Sequence, residues 1–288
     1  MDHKIGPRIL IVLAAVLWSS SGLFAKAPLF TIWPDADRGL LLAFWRALFA
    51  GVLLLPAVRR PRWNVWLVPM ALCFTCMNVT FMRSMTLTTA ANAIWLQSTA
   101  PLWVFVFGLL FFREAHDRRD LIPLGFGLAG VALILAFELG SSENRSLEGV
   151  ICGLLAGIFY AAVIVSMRFL RGENGAWLVT VNHLTAAAVL APFCLHLGYG
   201  VDAQRLGVLA CFGLFQMGLP YLLIARGLRE VPSQEASGIA LVEPVLLPIW
   251  VYLAWGEQPA WWTIAGGALI LAGLILRYSH TISRPTLG

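Results

Sequence analysis

Glu243 and Arg46 are the two residues whose charge is hardest to accommodate in this sequence. Each sits inside a long apolar run, Glu243 directly before Pro244 and Arg46 within Phe44-Trp45-Arg46-Ala47. A charge near the centre of a bilayer costs about 3 kcal/mol or more, so it must pair, be neutralised or face water. Two roles are open for Glu243. It can face a cavity, polarising a ligand or taking a proton, or it can pin the kink that Pro244 introduces. Arg46 stays charged. It can anchor a substrate carboxylate or partner a buried acid, but it lies about seven residues from the outer end of its run, within snorkelling reach of the interface, which favours a structural role. His183 and His196, alone in their runs, read as packing residues. Cys73 and Cys76 form a CxxC with no histidine or second pair nearby, and all five cysteines lie in apolar stretches, so no disulfide framework is expected. P-loop, GxSxG, HExxH and zinc-spaced His/Cys patterns are missing. No cofactor, no metal and no enzymatic activity are therefore expected, and a pump driven directly by ATP is disfavoured.

The elements that hold these residues follow from composition. Of 288 residues, 59% are apolar and 12% charged, about half the charged share of an average soluble domain. Such a chain cannot cover a water-soluble globule with polar surface. An all-α integral membrane protein is expected. Ten runs are long enough to cross a bilayer, at roughly 9–27, 39–58, 65–86, 88–112, 121–139, 147–170, 176–199, 204–227, 232–254 and 261–279. These runs are continuous, which excludes the alternating short strands of a membrane barrel. Of the twenty basic residues, fourteen fall on the side of both termini (Arg59, Arg62, Arg113, Arg171 and Arg229 among them) and five on the other. That bias puts both termini in the cytoplasm and accounts for the net charge of +5 without nucleic acid.

The chain also repeats itself. A shift of 143 residues carries Arg83 onto Arg226, Pro101 onto Pro244, Glu114 onto Glu257, and Ala129-Gly130 onto Ala272-Gly273. A shift of 142 carries Trp18 onto Tyr160 and Lys26 onto Arg168. The repeats divide the chain at 1–143 and 144–288. Five spans per repeat is odd, so the second copy enters the membrane inverted, and a substrate site is expected between the copies near the midplane. Trp33, Trp63, Trp66, Trp177, Trp255, Trp261 and Trp262 flank spans and read as an interfacial belt. Trp18, Trp95 and Tyr160 lie deep, Asn78 and Tyr221 are register mates, and Asn92, Trp95 and Thr99 share a helix face beside Gln97. The expected cavity lining is Trp18, Asn78, Trp95, Gln97, Tyr160, Tyr221 and Glu243. Gly153 and Gly157 form a GxxxG suited to close helix packing.

Several motifs together resemble a known family. They are Val16-Leu17-Trp18-Ser19-Ser20, Phe44-Trp45-Arg46-Ala47, Ala100-Pro101-Leu102 with Phe112-Arg113-Glu114, and Val242-Glu243-Pro244 with Trp255-Gly256-Glu257. In this order, over nearly the whole chain, they resemble the EamA-type transporters of the drug/metabolite transporter superfamily. Ser19 stands where that family usually has glycine. The resemblance implies a bacterial inner-membrane carrier exporting amino acids or related metabolites, most like the aromatic amino-acid exporters. It also implies a pathway lined by the first, third, fourth, sixth, eighth and ninth spans. The partners expected are a small-molecule substrate and the lipid bilayer, with no oligomer required. A coupled proton is left open, because a single mid-span acid without a relay leans toward a facilitator. Export of other amino acids or cationic dyes, and flipping of a lipid-linked substrate, remain alternatives within the fold. A membrane-embedded enzyme would need a converging cluster of acids or histidines, which the sequence does not offer.

Overall fold

The computed structural model describes residues 6–59, 61–112, 121–140 and 144–282. It is all-helical over those residues. Ten membrane helices run in order: α1 (Pro7–Ala25), α2 (Asp35–Ala57), α3 (Leu67–Leu87), α4 (Ala90–Phe111), α5 (Leu121–Leu139), α6 (Ser146–Arg168), α7 (Gly175–Leu197), α8 (Ala203–Gly227), α9 (Glu235–Trp255) and α10 (Trp261–Ile282). Among the described residues, the first nine are long and apolar enough to cross a membrane. The apolar part of α10, Trp261–Arg277, spans about 25 Å at 1.5 Å per residue, a little short of a hydrocarbon core of about 30 Å. The protein is a multi-pass membrane protein.

Local sequence decides where helices begin and break. Thr89, Asn174 and Asp202 cap α4, α7 and α8, each accepting a backbone N–H from three residues ahead. Helix α4 breaks after Gln97 and restarts at Ala100; α9 breaks after Ala240 and restarts at Val242. Both breaks precede the paired prolines, Pro101 and Pro244, which lack the N–H that would continue the ladder. The first halves, Ala90–Gln97 and Ser233–Ala240, coincide under the 143-residue shift. In α8 the ladder loosens into a π-helical stretch, Phe212–Gly218, just before Pro220, whose missing donor leaves the Gln216 carbonyl without its helical partner.

Helix pairings follow the same inversion. Helix α3 packs on α6 and α8 on α1; α2 packs on α8 and α7 on α3; α2–α7, α4–α9 and α5–α10 pair with their own mates. The α5–α10 seam is backbone against backbone. A Cβ added at Gly130 would come within 2.4 Å of the Gly266 carbonyl, and one at Gly273 within 2.7 Å of the Pro123 carbonyl. One contact becomes the other under the shift. A stripe on α6, Gly149, Gly153 and Gly157, admits Thr88, Ser84 and the broken turn at Leu96–Thr99 with no room for a side chain. Outward faces carry apolar side chains such as Leu110, Phe111 and Leu195. Trp63 and Trp261 stand exposed at helix ends, as an interfacial belt requires. Trp33 does not: it is 2% exposed and stacks on Phe30, and both belong to the buried core.

Candidate functional site

Helix α2 begins at Asp35, four residues earlier than the apolar run alone suggests, because Pro34 starts the helix and the acids of its first turn suit its dipole. Arg46 therefore lies roughly 16 Å into the span, near the midplane rather than within reach of the interface. It does not snorkel. The side chain is 2% exposed, and its Nε donates to Asn78 Oδ1 at 2.7 Å. Asn78 is held in turn by donating to the Ala43 carbonyl at 2.9 Å. The guanidinium faces the rings of Phe81 and Phe212, 5.6 and 5.7 Å from their centroids. Phe212 belongs to the π-helical stretch of α8, and Gly213 beside it lets that stretch press on the α2 backbone at Arg46 and Ala50.

An aromatic chain continues from this charge. His183 of α7 packs on Phe74 at 4.7 Å and edge-on to Tyr221 of α8 at 5.6 Å; Tyr221 meets Trp18 of α1 edge-on at 5.3 Å. Gln216 ties α8 to α1 by donating from Nε2 to the Trp18 carbonyl at 3.2 Å. Two buried acceptors in this region, His183 Nε2 and Gln216 Oε1, have no hydrogen-bond partner among the described residues. Glu243, half-buried on α9, interacts electrostatically with Arg46 and with Tyr221. No ion pair closes between Glu243 and Arg46 among the described residues.

Of the seven residues expected to line a cavity, the structure gathers Trp18, Asn78, Tyr221 and Glu243 around Arg46. Trp95 plays another part. Pro248 cannot donate to the Pro244 carbonyl, and Trp95 Nε1 fills that place at 2.9 Å, joining α4 to α9 while its ring lies flat on Gly267 of α10. Removing this donor with Trp95→Phe should cost about 1–3 kcal/mol, the penalty of an orphaned buried carbonyl. Adding Pro248→Ala restores a backbone donor, so the same Trp95→Phe change should cost measurably less in that background. Equal losses of melting temperature in both backgrounds would contradict this account. Gln97, half-buried, ends the first half of α4. Tyr160, the register mate of Trp18, is 42% exposed on α6. Arg46, His183 and Gln216 join this group.

Two further polar groups lie outside the expected lining. Glu138, 6% exposed at the end of α5, accepts from Asn92 Nδ2 at 3.0 Å and Ser146 Oγ at 2.6 Å. On the face carrying the α3–α4 junction, Lys26 pairs with Glu257 at 2.6 Å and donates to the Thr88 carbonyl at 2.6 Å. The other Glu257 oxygen accepts from Ala90 N at 2.6 Å, at the dipole-favoured N-terminus of α4. This latch ties three separate stretches of chain together. Glu114, the mate of Glu257, lies outside the described residues. An apolar concavity is lined by Leu40 of α2, Thr75, Val79 and Thr80 of α3, Phe159 of α6, and Leu190 and Phe193 of α7, and none of the seven expected residues lines it.

Comparison with known proteins bears on what this arrangement serves. An uncharacterized transporter of Archaeoglobus fulgidus is 27% identical over 272 residues, covering 93% of this chain and 94% of that one. The uncharacterized transporter YxxF of Bacillus subtilis is 23% identical over 277 residues, covering 93% and 88%. The pseudopaline exporter CntI of Pseudomonas aeruginosa is 26% identical over 187 residues, 64% of each chain. A crystal structure superposes with a TM-score of 0.65 at 17% identity, over 97% of this chain and 99% of that one, and so shares the fold. The model of the EamA-like transporter family matches twice, at residues 7–136 and 147–279, and the two matches end 143 residues apart, the shift found within the sequence. Ten helices in two inverted copies, each copy matched by the same model, place this chain in the EamA-like transporter family.

Proposed function

We propose that this transporter exports small amphipathic metabolites across the bacterial inner membrane by alternating access, with both termini cytoplasmic. Aromatic amino acids are the substrates that suit the site best. One observation carries the reading: in the ring chain Phe74–His183–Tyr221–Trp18, Tyr221 interacts electrostatically with both the buried Arg46 of the first repeat and Glu243 of the second. Flat apolar groups find ring edges and faces there, and polar head groups find both signs of charge. The naming of CntI as an exporter supports the direction. Purified protein in proteoliposomes should exchange labelled phenylalanine at least tenfold above empty vesicles; no flux of phenylalanine, threonine or a cationic dye would overturn the reading.

Glu243 has no neighbouring acid to relay a proton among the residues it interacts with. Facilitated diffusion is the reading this supports. An imposed pH gradient should leave steady-state accumulation in wild-type vesicles within twofold of the no-gradient value, and concentrative uptake driven by the gradient would show coupling. The apolar groove between α3, α6 and α7 favours a second reading, movement of a lipid-linked substrate, since it offers an acyl chain a lateral seat. Scrambling of a fluorescent polyprenyl phosphate, with no amino-acid flux, would decide for it.

A further inference from the structure

The site contains a guanidinium and a carboxyl group that do not touch. Arg46 is almost fully buried, and among the described residues its one side-chain hydrogen bond goes from Nε to a neutral amide, Asn78. Its Nη groups, the prongs that clasp a carboxylate in parallel, are engaged by no described side chain. A buried guanidinium facing two phenyl rings and an amide is an incompletely compensated cation. Glu243 supplies a carboxyl group from α9, in the second repeat, while Arg46 and Asn78 belong to the first. The rings of Tyr221 and Trp18 stand in contact with each other within the same group. A ligand with a carboxylate at one end, an ammonium beside it and a flat apolar side chain meets a partner at each point.

We infer that Arg46 and Glu243 together read a zwitterionic head group, Arg46 taking the ligand's carboxylate through its Nη groups and Glu243 its ammonium, while Trp18 and Tyr221 receive the apolar side chain. This deepens the transport reading above and rests on it. It turns Arg46 from an anchor of the fold into a specificity-determining residue, and it requires Glu243 to be ionised when substrate is bound. It also spans the repeats, so that a zwitterion draws α2 and α9 together as no singly charged analogue does.

The test is counterflow of labelled phenylalanine in proteoliposomes, competed with phenylalanine, phenethylamine, which lacks the carboxylate, and 3-phenylpropionate, which lacks the amine. In wild type each singly charged analogue should compete at least tenfold more weakly than phenylalanine, as a site built around buried polar groups rejects a ligand that leaves one unpaired. Arg46→Gln should abolish the preference for phenylalanine over phenethylamine and keep that over 3-phenylpropionate; Glu243→Gln should do the reverse. A wild type that accepts phenethylamine as well as phenylalanine overturns the inference without any variant, which keeps it testable even if Arg46→Gln fails to fold. Flux of phenylalanine with charge preferences unmoved by either substitution overturns the head-group roles and leaves the transport reading standing. No phenylalanine flux in wild type removes both.

Discussion

Gly267→Ala should yield no monodisperse protein in mild detergent. The added Cβ would lie 2.1 Å from Cδ2 and Cε3 of Trp95, well inside the distance that any pair of carbons tolerates. Relief by rotating the indole is closed off, because Nε1 is fixed on the Pro244 carbonyl and the ring is 7% exposed. Relief by moving α10 is closed off as well, because its Gly266 and Gly273 already sit against the α5 backbone. Overpacking in tight cores typically costs 1–3 kcal/mol, and a site where neither partner can yield lies above that range. The second-site test is direct. Trp95→Ala removes the obstacle, so Gly267→Ala/Trp95→Ala should recover folded protein, whereas Trp95→Ala alone leaves a cavity. If Gly267→Ala expresses and melts like wild type, the flat contact between α4 and α10 is wrong.

Lys26→Met should open the face that the basic-residue tally places outside the cell. Lysine is the hub of the latch: it neutralises Glu257 and holds the Thr88 carbonyl, and its own side chain is only 19% exposed. Charge-assisted bonds at partly buried sites contribute about 1.5–3 kcal/mol, enough to move a conformational population by an order of magnitude. Ala91, 1% exposed just behind the latch, is the reporter. With the five native cysteines removed, Ala91→Cys should react with a membrane-impermeant maleimide several times faster when Lys26→Met is also present. The reversed pair Lys26→Glu/Glu257→Lys should restore only part of the protection. It recreates the attraction, yet a lysine at 257 cannot accept the Ala90 N–H that Glu257 holds at 2.6 Å. An unchanged labelling rate in Lys26→Met would remove the latch from any role in closure.

The ten helices were legible because a bilayer leaves the chain few choices: long apolar runs must be helical, and charges must mark the turns. The breaks in α4 and α9 were legible through Pro101 and Pro244, since a missing N–H acts on its own helix. Partners that act across helices were not. Arg46 was read as interfacial because Asp35, Asp37 and Arg38 looked like loop residues, whereas they form the first turn of α2 and push Arg46 to the midplane. Its partner Asn78 is 32 residues away, a separation that no local pattern encodes. Trp33 carries the position of a belt residue but is enclosed by Phe30. Glu138 looked like the end of a span, and only Asn92 and Ser146, from neighbouring helices, make it a buried acid.

The α5–α10 seam has a history written into its geometry. Gly130 on the Gly266 carbonyl and Gly273 on the Pro123 carbonyl are a single contact made twice, as in an isologous interface where a surface meets its own inverted copy. Two separate five-helix chains of one sequence, inserted in opposite orientations, would bury the same seam. Joining them through residues 140–144 makes assembly a first-order event, independent of how much protein the cell makes, and guarantees one half of each orientation. It also releases the halves from having to be identical. A dimer of equal chains would carry every site residue twice, so an acid on one side would impose an acid on the other. The fused chain holds glutamate at position 243 and alanine at its counterpart, position 100, and tryptophan at 18 against tyrosine at 160. Duplication supplied the symmetry of the fold; fusion supplied the freedom to give its centre a polarity.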